Sequence, residues 1–331
     1  MKRYAPALAL FLLSCTANPP PPPPPPLAAL AAAAPSPLVW PAGLPVYDHV
    51  VIVVEENKDY EQIIGPAGQA AAPYLSRLRT EGASLTRMFA EEHHSQGNYF
   101  WLFSGSNQNV GFIDSVPAQP ITKSNLGEQL LGAGRSFAGY SEDLPAIGST
   151  VDTAGLYARK HVPWISFSNA PNGKTVATSS NLRFKDFPKD FTKLPTVSFV
   201  IPNLIDDMHD GSIPGSITAG DTWLKKHLDG YYQWAKANNS LLIVTFDEND
   251  HGPSGLTDPA AKTPAKRNRI VTIFAGAHVK KGEFAEGKGV THVNVLRTLE
   301  AMYGLGRAGA QQPFARAAGI ADDFLITDLF E

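Results

Sequence analysis

Two places in the chain join an aliphatic run directly to a cluster of oxygen donors. Val50–Val54 runs into Glu55, Glu56 and Asn57, and Leu241–Phe246 runs into Asp247, Glu248, Asn249 and Asp250. Three further segments carry donors of the same kind: His93 to Asn98, the stretch Asp206-Asp207-Met208-His209-Asp210, and Thr291-His292. Carboxylates with a few imidazoles make a borderline-hard divalent site. Oxygen ligands suit magnesium, calcium or manganese, whereas added histidine favours zinc or iron, so the metal stays open. Such a site lacks only a nucleophile, and Ser95 offers a hydroxyl that coordination to a cation would ionise. No Gly-x-Ser-x-Gly elbow surrounds it, which argues against an α/β-hydrolase. Taken singly, each acidic cluster also fits a strand-terminating turn, and Ser95 also fits the cap of a helix beginning near Tyr99.

The elements that must position these groups follow from periodicity. The two aliphatic runs suit strands buried on both faces of a parallel sheet, and ligands of open α/β sheets bind beyond the carboxyl ends of such strands. Further strands are expected over Ser84–Phe89, Ser136–Tyr140, Ile165–Phe167, Thr196–Ile201 and Arg269–Ala275. Helices are expected over Ala72–Glu81, Tyr99–Phe103, Leu126–Leu131 and Val293–Met302, with a helix end at Tyr157–Lys160. A long helix to Ala237 is expected to be capped by Asp221, its aromatics Trp223 to Trp234 recurring at core spacing. Strand alternates with helix throughout, which predicts an α/β fold with a mainly parallel central sheet flanked by helices on both faces.

A chain of 331 residues, 43% hydrophobic and 18% charged, can bury a sizeable core. Its net charge of −3 gives no electrostatic footprint for nucleic acid. Residues 1–15 read as a bacterial lipoprotein-type signal peptide: Met1-Lys2-Arg3, a short apolar stretch, then Leu12-Leu13-Ser14-Cys15 with cleavage before the cysteine. Cys15 is the only cysteine, so no intrachain disulfide or thiolate cluster is available, and its position suits lipid anchoring. Leu13 is bulkier than the residue usual there, which leaves plain secretion as the alternative. The expected location is thus outside the cytoplasm, as a membrane-anchored lipoprotein of the outer membrane or periplasm or as a secreted protein. Residues 16–44, with unbroken proline from Pro19 to Pro26, read as an extended Pro/Ala-rich linker. A single catalytic domain is expected over 45–331.

Together, Val53-Val54-Glu55-Glu56-Asn57, His94-Ser95-Gln96-Gly97-Asn98-Tyr99, Pro202-Asn203 with Asp207-Met208-His209-Asp210, Asp247-Glu248, and His292 resemble the phosphoesterase family of bacterial acid phosphatases and phospholipases C. The resemblance runs in order from about Asp48 to Leu305. It implies the alkaline phosphatase superfamily and its fold, with one or two divalent ions at the carboxyl edge of the sheet. By position Glu56, Asn57, Ser95, Asp247 and Glu248 would share one metal, with Ser95 the nucleophile and a phosphoserine the intermediate. Asn98 would donate to a non-bridging oxygen. Asp207, His209, Asp210 and His292 would hold a second metal, or bind phosphate and protonate the leaving group. The resemblance implies a small phosphate ester or a phospholipid headgroup as substrate. The short tail after Leu305 favours the phosphatase type, and a non-catalytic surface lipoprotein is the remaining alternative. One departure stands out: the family usually has proline where Gly97 stands, and glycine predicts a looser turn after Ser95. His93 and His94 flank the serine. His161, following Arg159-Lys160, reads as part of an exposed basic helix end.

Overall fold

In the computed structural model, which describes residues 44–110, 114–250 and 268–331, the two aliphatic runs are neighbouring strands near the middle of an eight-stranded sheet. The signal-type segment, the linker up to residue 43, and His251 lie outside the described residues. In chain order the first half contains β1 (His49–Glu55), α1 (Tyr60–Ile64), α2 (Pro66–Ala71), α3 (Pro73–Glu81), β2 (Ala83–Leu85), β3 (Met88–Phe89), α4 (Ser95–Ser104), α5 (Leu126–Gly132) and β4 (Phe137–Ser141). A long connection follows with β5 (Thr153–Ala154), β6 (Tyr157–Ala158) and β7 (Asn181–Arg183). The rest is β8 (Val197–Ile201), α6 (Gly215–Ala235), β9 (Ser240–Phe246), β10 (Thr272–Gly276), β11 (Gly282–Phe284), β12 (Val290–Thr291), α7 (His292–Met302) and α8 (Pro313–Ala317).

The sheet order is β11-β2-β10-β9-β1-β8-β4-β7. Only β10 runs against its neighbours; β9, β1, β8, β4 and β7 are parallel. Residues 50 to 54 of β1 are at most 1% exposed, so both faces of the sheet are covered, as an all-aliphatic strand requires. Helices α2, α3 and α6 pack on one another and on β9 and β10, while α4 packs on α5 and α7. Parallel pairing aligns the carboxyl ends of β1, β8 and β9, and the polar clusters leave the sheet together at that edge.

Four local expectations change. Ser84–Phe89 is not one strand: a turn at Thr86–Arg87 sends β2 into the main sheet and β3 to a separate pairing with β12. Tyr157–Lys160 is the strand β6 followed by a 3-10 turn over Arg159–His161, and Ile165–Phe167 belongs to a 3-10 turn begun by Pro163, whose ring pre-sets the helical φ. Asp221 lies inside α6, which starts at Gly215; its carboxylate instead accepts from Tyr74 N (3.0 Å) and Leu75 N (2.8 Å) and caps α3 from outside. Ala72 at the N-cap of α3 has no oxygen to offer, so the first-turn amides take their acceptor from the packed neighbour.

Candidate active site

Pairing of β1 with β9 builds the first half of the site. The register sets Val54 opposite Thr245 and Glu55 opposite Phe246, and Asp247 N donating to Glu55 O (3.0 Å) carries the ladder one step further. Glu56-Asn57 and Asp247-Glu248 therefore emerge side by side. Asn57 donates from its backbone N to Asp247 Oδ1 (3.2 Å) and from Nδ2 to Glu248 Oε1 (2.8 Å). Asn57 holds a left-handed backbone at φ 29°, a conformation that side-chain-bearing residues rarely adopt and that clusters at functional sites.

Ser95 is the first residue of α4 and reaches across to both strand ends. Its Oγ donates to Glu56 Oε2 (3.0 Å) and lies 3.5 Å from Glu248 Oε1. Asn98, one turn on and on the same helix face, donates from Nδ2 to Glu92 O (2.7 Å) and Glu248 Oε2 (3.3 Å). Its Oδ1 accepts from Glu91 N and Glu92 N, so the amide braces the turn that delivers the serine. His93 is buried with Nδ1 2.9 Å from Glu248 Oε2, whereas His94 is exposed.

The second half comes from the end of β8 and from the long connection. Glu56 N donates to Asp207 O (2.7 Å), and Asp207 Oδ1 accepts from His209 N (2.8 Å). Between them Met208 adopts φ 76°. His161 is not an exposed helix end: it is 1% exposed, its Nε2 is 3.2 Å from Glu56 Oε1 and its Nδ1 is 3.7 Å from Asp207 Oδ2. Tyr99 stacks on it at 5.1 Å between ring centroids and donates its hydroxyl to Glu56 Oε1 (2.5 Å). The His209 ring is 6.2 Å from that of His161, and its Nδ1 meets Asp210 Oδ1 at 2.8 Å. Asp210 itself is exposed. His292 begins α7 behind this group, with Nε2 donating to Phe246 O (2.9 Å).

An open cleft of about 340 Å³ lies over these residues, lined among others by Ser95, Asn57, Glu248, His209, Lys58, Lys160 and Asp114. Lys58 is spent on backbone: its Nζ donates to Asn57 O and Met208 O. Lys160 donates to Asp114 Oδ2 (2.8 Å).

Electrostatically the site is overloaded with acid. Burial, followed by repulsion from Asp247 and Asp207, pushes Glu56 well above the carboxylate range; burial, with Asp247 adding repulsion, does the same to Asp207. Asp247 rises to about 7 through burial and its neighbour Glu248, and Glu248 to about 9 through burial and Asp114. Buried like charges disfavour ionisation unless a positive partner arrives. Asn57 Oδ1, Asp207 Oδ2 and Asp247 Oδ2 are buried atoms without a hydrogen-bond partner. Within the described residues, ligand atoms of Glu56, His161 and Asp207 all lie within 4.8 Å of one another. Clustered hard oxygen donors, an adjacent imidazole and unsatisfied lone pairs fit a divalent cation.

Gly97 has a different meaning from the expected loose turn. It sits in the first turn of α4, where an added Cβ would lie 1.9 Å from Glu92 Oε1. The Glu92 carboxylate fills that space, accepting from Trp101 Nε1 (3.1 Å) and Asn107 Nδ2 (3.0 Å). The turn is tightly occupied. Tyr99 closes the serine motif but received no role from the sequence, and no motif or period marks Lys58, Lys160, Asp114 or His161; Tyr99 and His161 are identified only by their contacts with Glu56, and the other three by lining the cleft beside Ser95.

The profile of the Phosphoesterase family matches residues 66–306. The chain is 47% identical over 270 residues to a phosphatidylinositol-3-phosphatase of Mycobacterium tuberculosis, covering 81% of each chain. It is 30% identical over 271 residues to a probable acid phosphatase of Kluyveromyces lactis, covering 78% of this chain but only 58% of that one. Among solved structures, a protein of the alkaline phosphatase superfamily from Vibrio parahaemolyticus superposes with a TM-score of 0.55 at 13% identity, covering 89% of this chain and 76% of that one. The fold is thus that of the alkaline phosphatase superfamily, and the chain belongs to the phosphoesterase family, as a hydrolase acting on phosphate esters.

Proposed function

We propose that the chain is a metal-dependent phosphomonoesterase that works through Ser95. The observation that carries this is the Ser95 hydroxyl at the start of α4, 3.0 Å from Glu56 Oε2, at the sheet edge where Asn57, Asp207 and Asp247 each bury an oxygen without a hydrogen-bond partner. Glu56, Asn57, Ser95, Asp247 and Glu248 would hold a divalent ion, with Asp207 and His161 the donors nearest to it for a second. When bound, the ion would polarise the phosphoryl group and lower the pKa of the serine hydroxyl.

Ser95 Oγ donates to Glu56 Oε2, the carboxylate placed to take the hydroxyl proton as Oγ attacks. Attack in line on phosphorus forms a phosphoserine as the bond to the ester oxygen breaks. His209 suits protonation of that leaving oxygen: it lines the cleft, and the bond from Nδ1 to Asp210 fixes the ring with Nε2 free. Water then attacks the phosphoserine, the P–O bond to Ser95 breaks, and phosphate leaves. His292, held on Phe246 O behind the cleft, supports the end of β9 in this reading.

A second substrate class has one specific support, the phosphatidylinositol-3-phosphatase relative. In that reading the monoester is borne on a phosphoinositide, and an anchor at Cys15 would hold the domain near its lipid; diester cleavage of phospholipase C type is the further alternative. A panel of p-nitrophenyl phosphate, a phosphoinositide and choline phospholipid, run with metal analysis of the same protein, separates these. Monoester hydrolysis lost on chelation and restored by metal is expected; hydrolysis untouched by exhaustive chelation sinks the metal assignment.

A further inference from the structure

Beside Ser95 an internal anion already occupies the spot a phosphoryl group would be expected to seek. Asp114, from the segment after α4, accepts at Oδ1 from Gln96 N (3.1 Å) and at Oδ2 from Lys160 Nζ (2.8 Å). Gln96 N is the second amide of α4, one of the first-turn donors that no intrahelical carbonyl can satisfy, and helix starts of this kind attract anions. Lys160 is an independent donor, contributed by the 3-10 turn that also carries His161. Of the two lysines lining the cleft, Lys58 is committed to backbone carbonyls, whereas Lys160 is held by a side-chain carboxylate. Asp114 is otherwise badly sited. It repels Glu248, already the neighbour of Asp247 and Glu56, and its bond to Lys160 cancels the charge that would draw in a phosphate ester.

The geometry points to Asp114 as a specificity-determining residue that competes with the substrate phosphoryl group for Gln96 N and Lys160. The inference rests on the reading of Ser95 as the reacting group and adds what governs phosphate capture beside it. A phosphate monoester dianion offers at least two free oxygens to these donors and replaces the carboxylate; a diester, with one charge fewer, competes less well. Asp114 thereby weakens the hold of the cleft on phosphate, the product, as well as on substrate.

The test uses the full-length, metal-loaded protein. Asp114→Asn keeps the size and a weaker acceptor but removes the charge, and the readouts are KM for p-nitrophenyl phosphate and Ki for inorganic phosphate. The inference expects both constants to fall about three- to tenfold, the scale of one partly exposed charge pair. Combining Asp114→Asn with Lys160→Met should erase most of that gain. An unchanged or raised Ki overturns the inference, because a residue that merely positions Lys160 would weaken phosphate binding when lost. Phosphate titrated calorimetrically into Ser95→Ala with and without Asp114→Asn gives the same comparison without turnover. If the wild type hydrolyses no phosphate ester, the functional reading fails; if it does and Asp114→Asn binds phosphate no tighter, this inference alone fails.

Discussion

The two halves of the site are built by opposite means. The carboxylate half, Glu56, Asn57, Asp247 and Glu248 with Ser95, is attached directly to β1, β9 and the start of α4, and paired backbone fixes each position. The histidine half, His161, His209, Asp207 and Lys160, comes from turns and 3-10 segments between β4 and α6, held mainly by side-chain contacts such as the Tyr99 stack on His161 and the His161–Glu56 pair. In the proposed reading, the ends of paired strands and a helix start place the first ion's donors and the nucleophile, while the connection between β4 and α6 supplies the donors for a second ion and the acid for the leaving group.

If the carboxylate half is the reacting centre, Ser95→Ala is the largest loss, expected at about 10³-fold or more in kcat with metal content retained. Retained activity would transfer the reaction to the histidine half. The next effect sharpens the contrast from the other side. His209→Gln should cost about 10- to 100-fold on alkyl phosphates and little on p-nitrophenyl phosphate, whose leaving group needs no proton. An equal loss on both would make His209 a binding residue.

A third test addresses the surplus acid of the carboxylate half. The folded chain keeps a proton on Glu248 up to about 9 and on Asp247 to about 7, while the unfolded chain releases both near ordinary carboxylate values. Above about pH 7 histidines whose folded pKa is lowered, such as His292, are neutral in both states and drop out. Through these two groups the folded protein binds more protons than the unfolded, so their contribution to stability falls as pH rises from 7 to 9. Chelator-treated protein should show this as a falling thermal midpoint, and metal should flatten the slope; a flat metal-free profile would mean that the acids are compensated otherwise. The smallest effect concerns the floor beneath Ser95. Gly97→Ala should destabilise by about 1–3 kcal/mol by chemical denaturation, because the new methyl meets the Glu92 carboxylate. A neutral result would show that Glu92 moves away at no cost.

Much of the carboxylate half is legible in the sequence. A fully aliphatic run can satisfy itself only as a buried strand, the residue where it turns polar is where the strand leaves the sheet, and parallel pairing carries two such ends to one edge. The sheet type and the clusters around Glu56, Ser95 and Asp247 follow from that local logic, joined in order by the resemblance to phosphoesterases. Only the tertiary structure decided the rest. His161 and Lys160 look like a basic helix end because no period or motif records that their turn folds inward onto Glu56, and Lys160 meets Asp114 from 46 residues away. Asp221 looked like the cap of its own helix and caps another; Gly97 looked like slack and is filled by Glu92. Local backbone preference is set by neighbours in the chain, which sequence displays. The partner of a side chain is set by which segments share the same space, and that is fixed only when the whole core is packed.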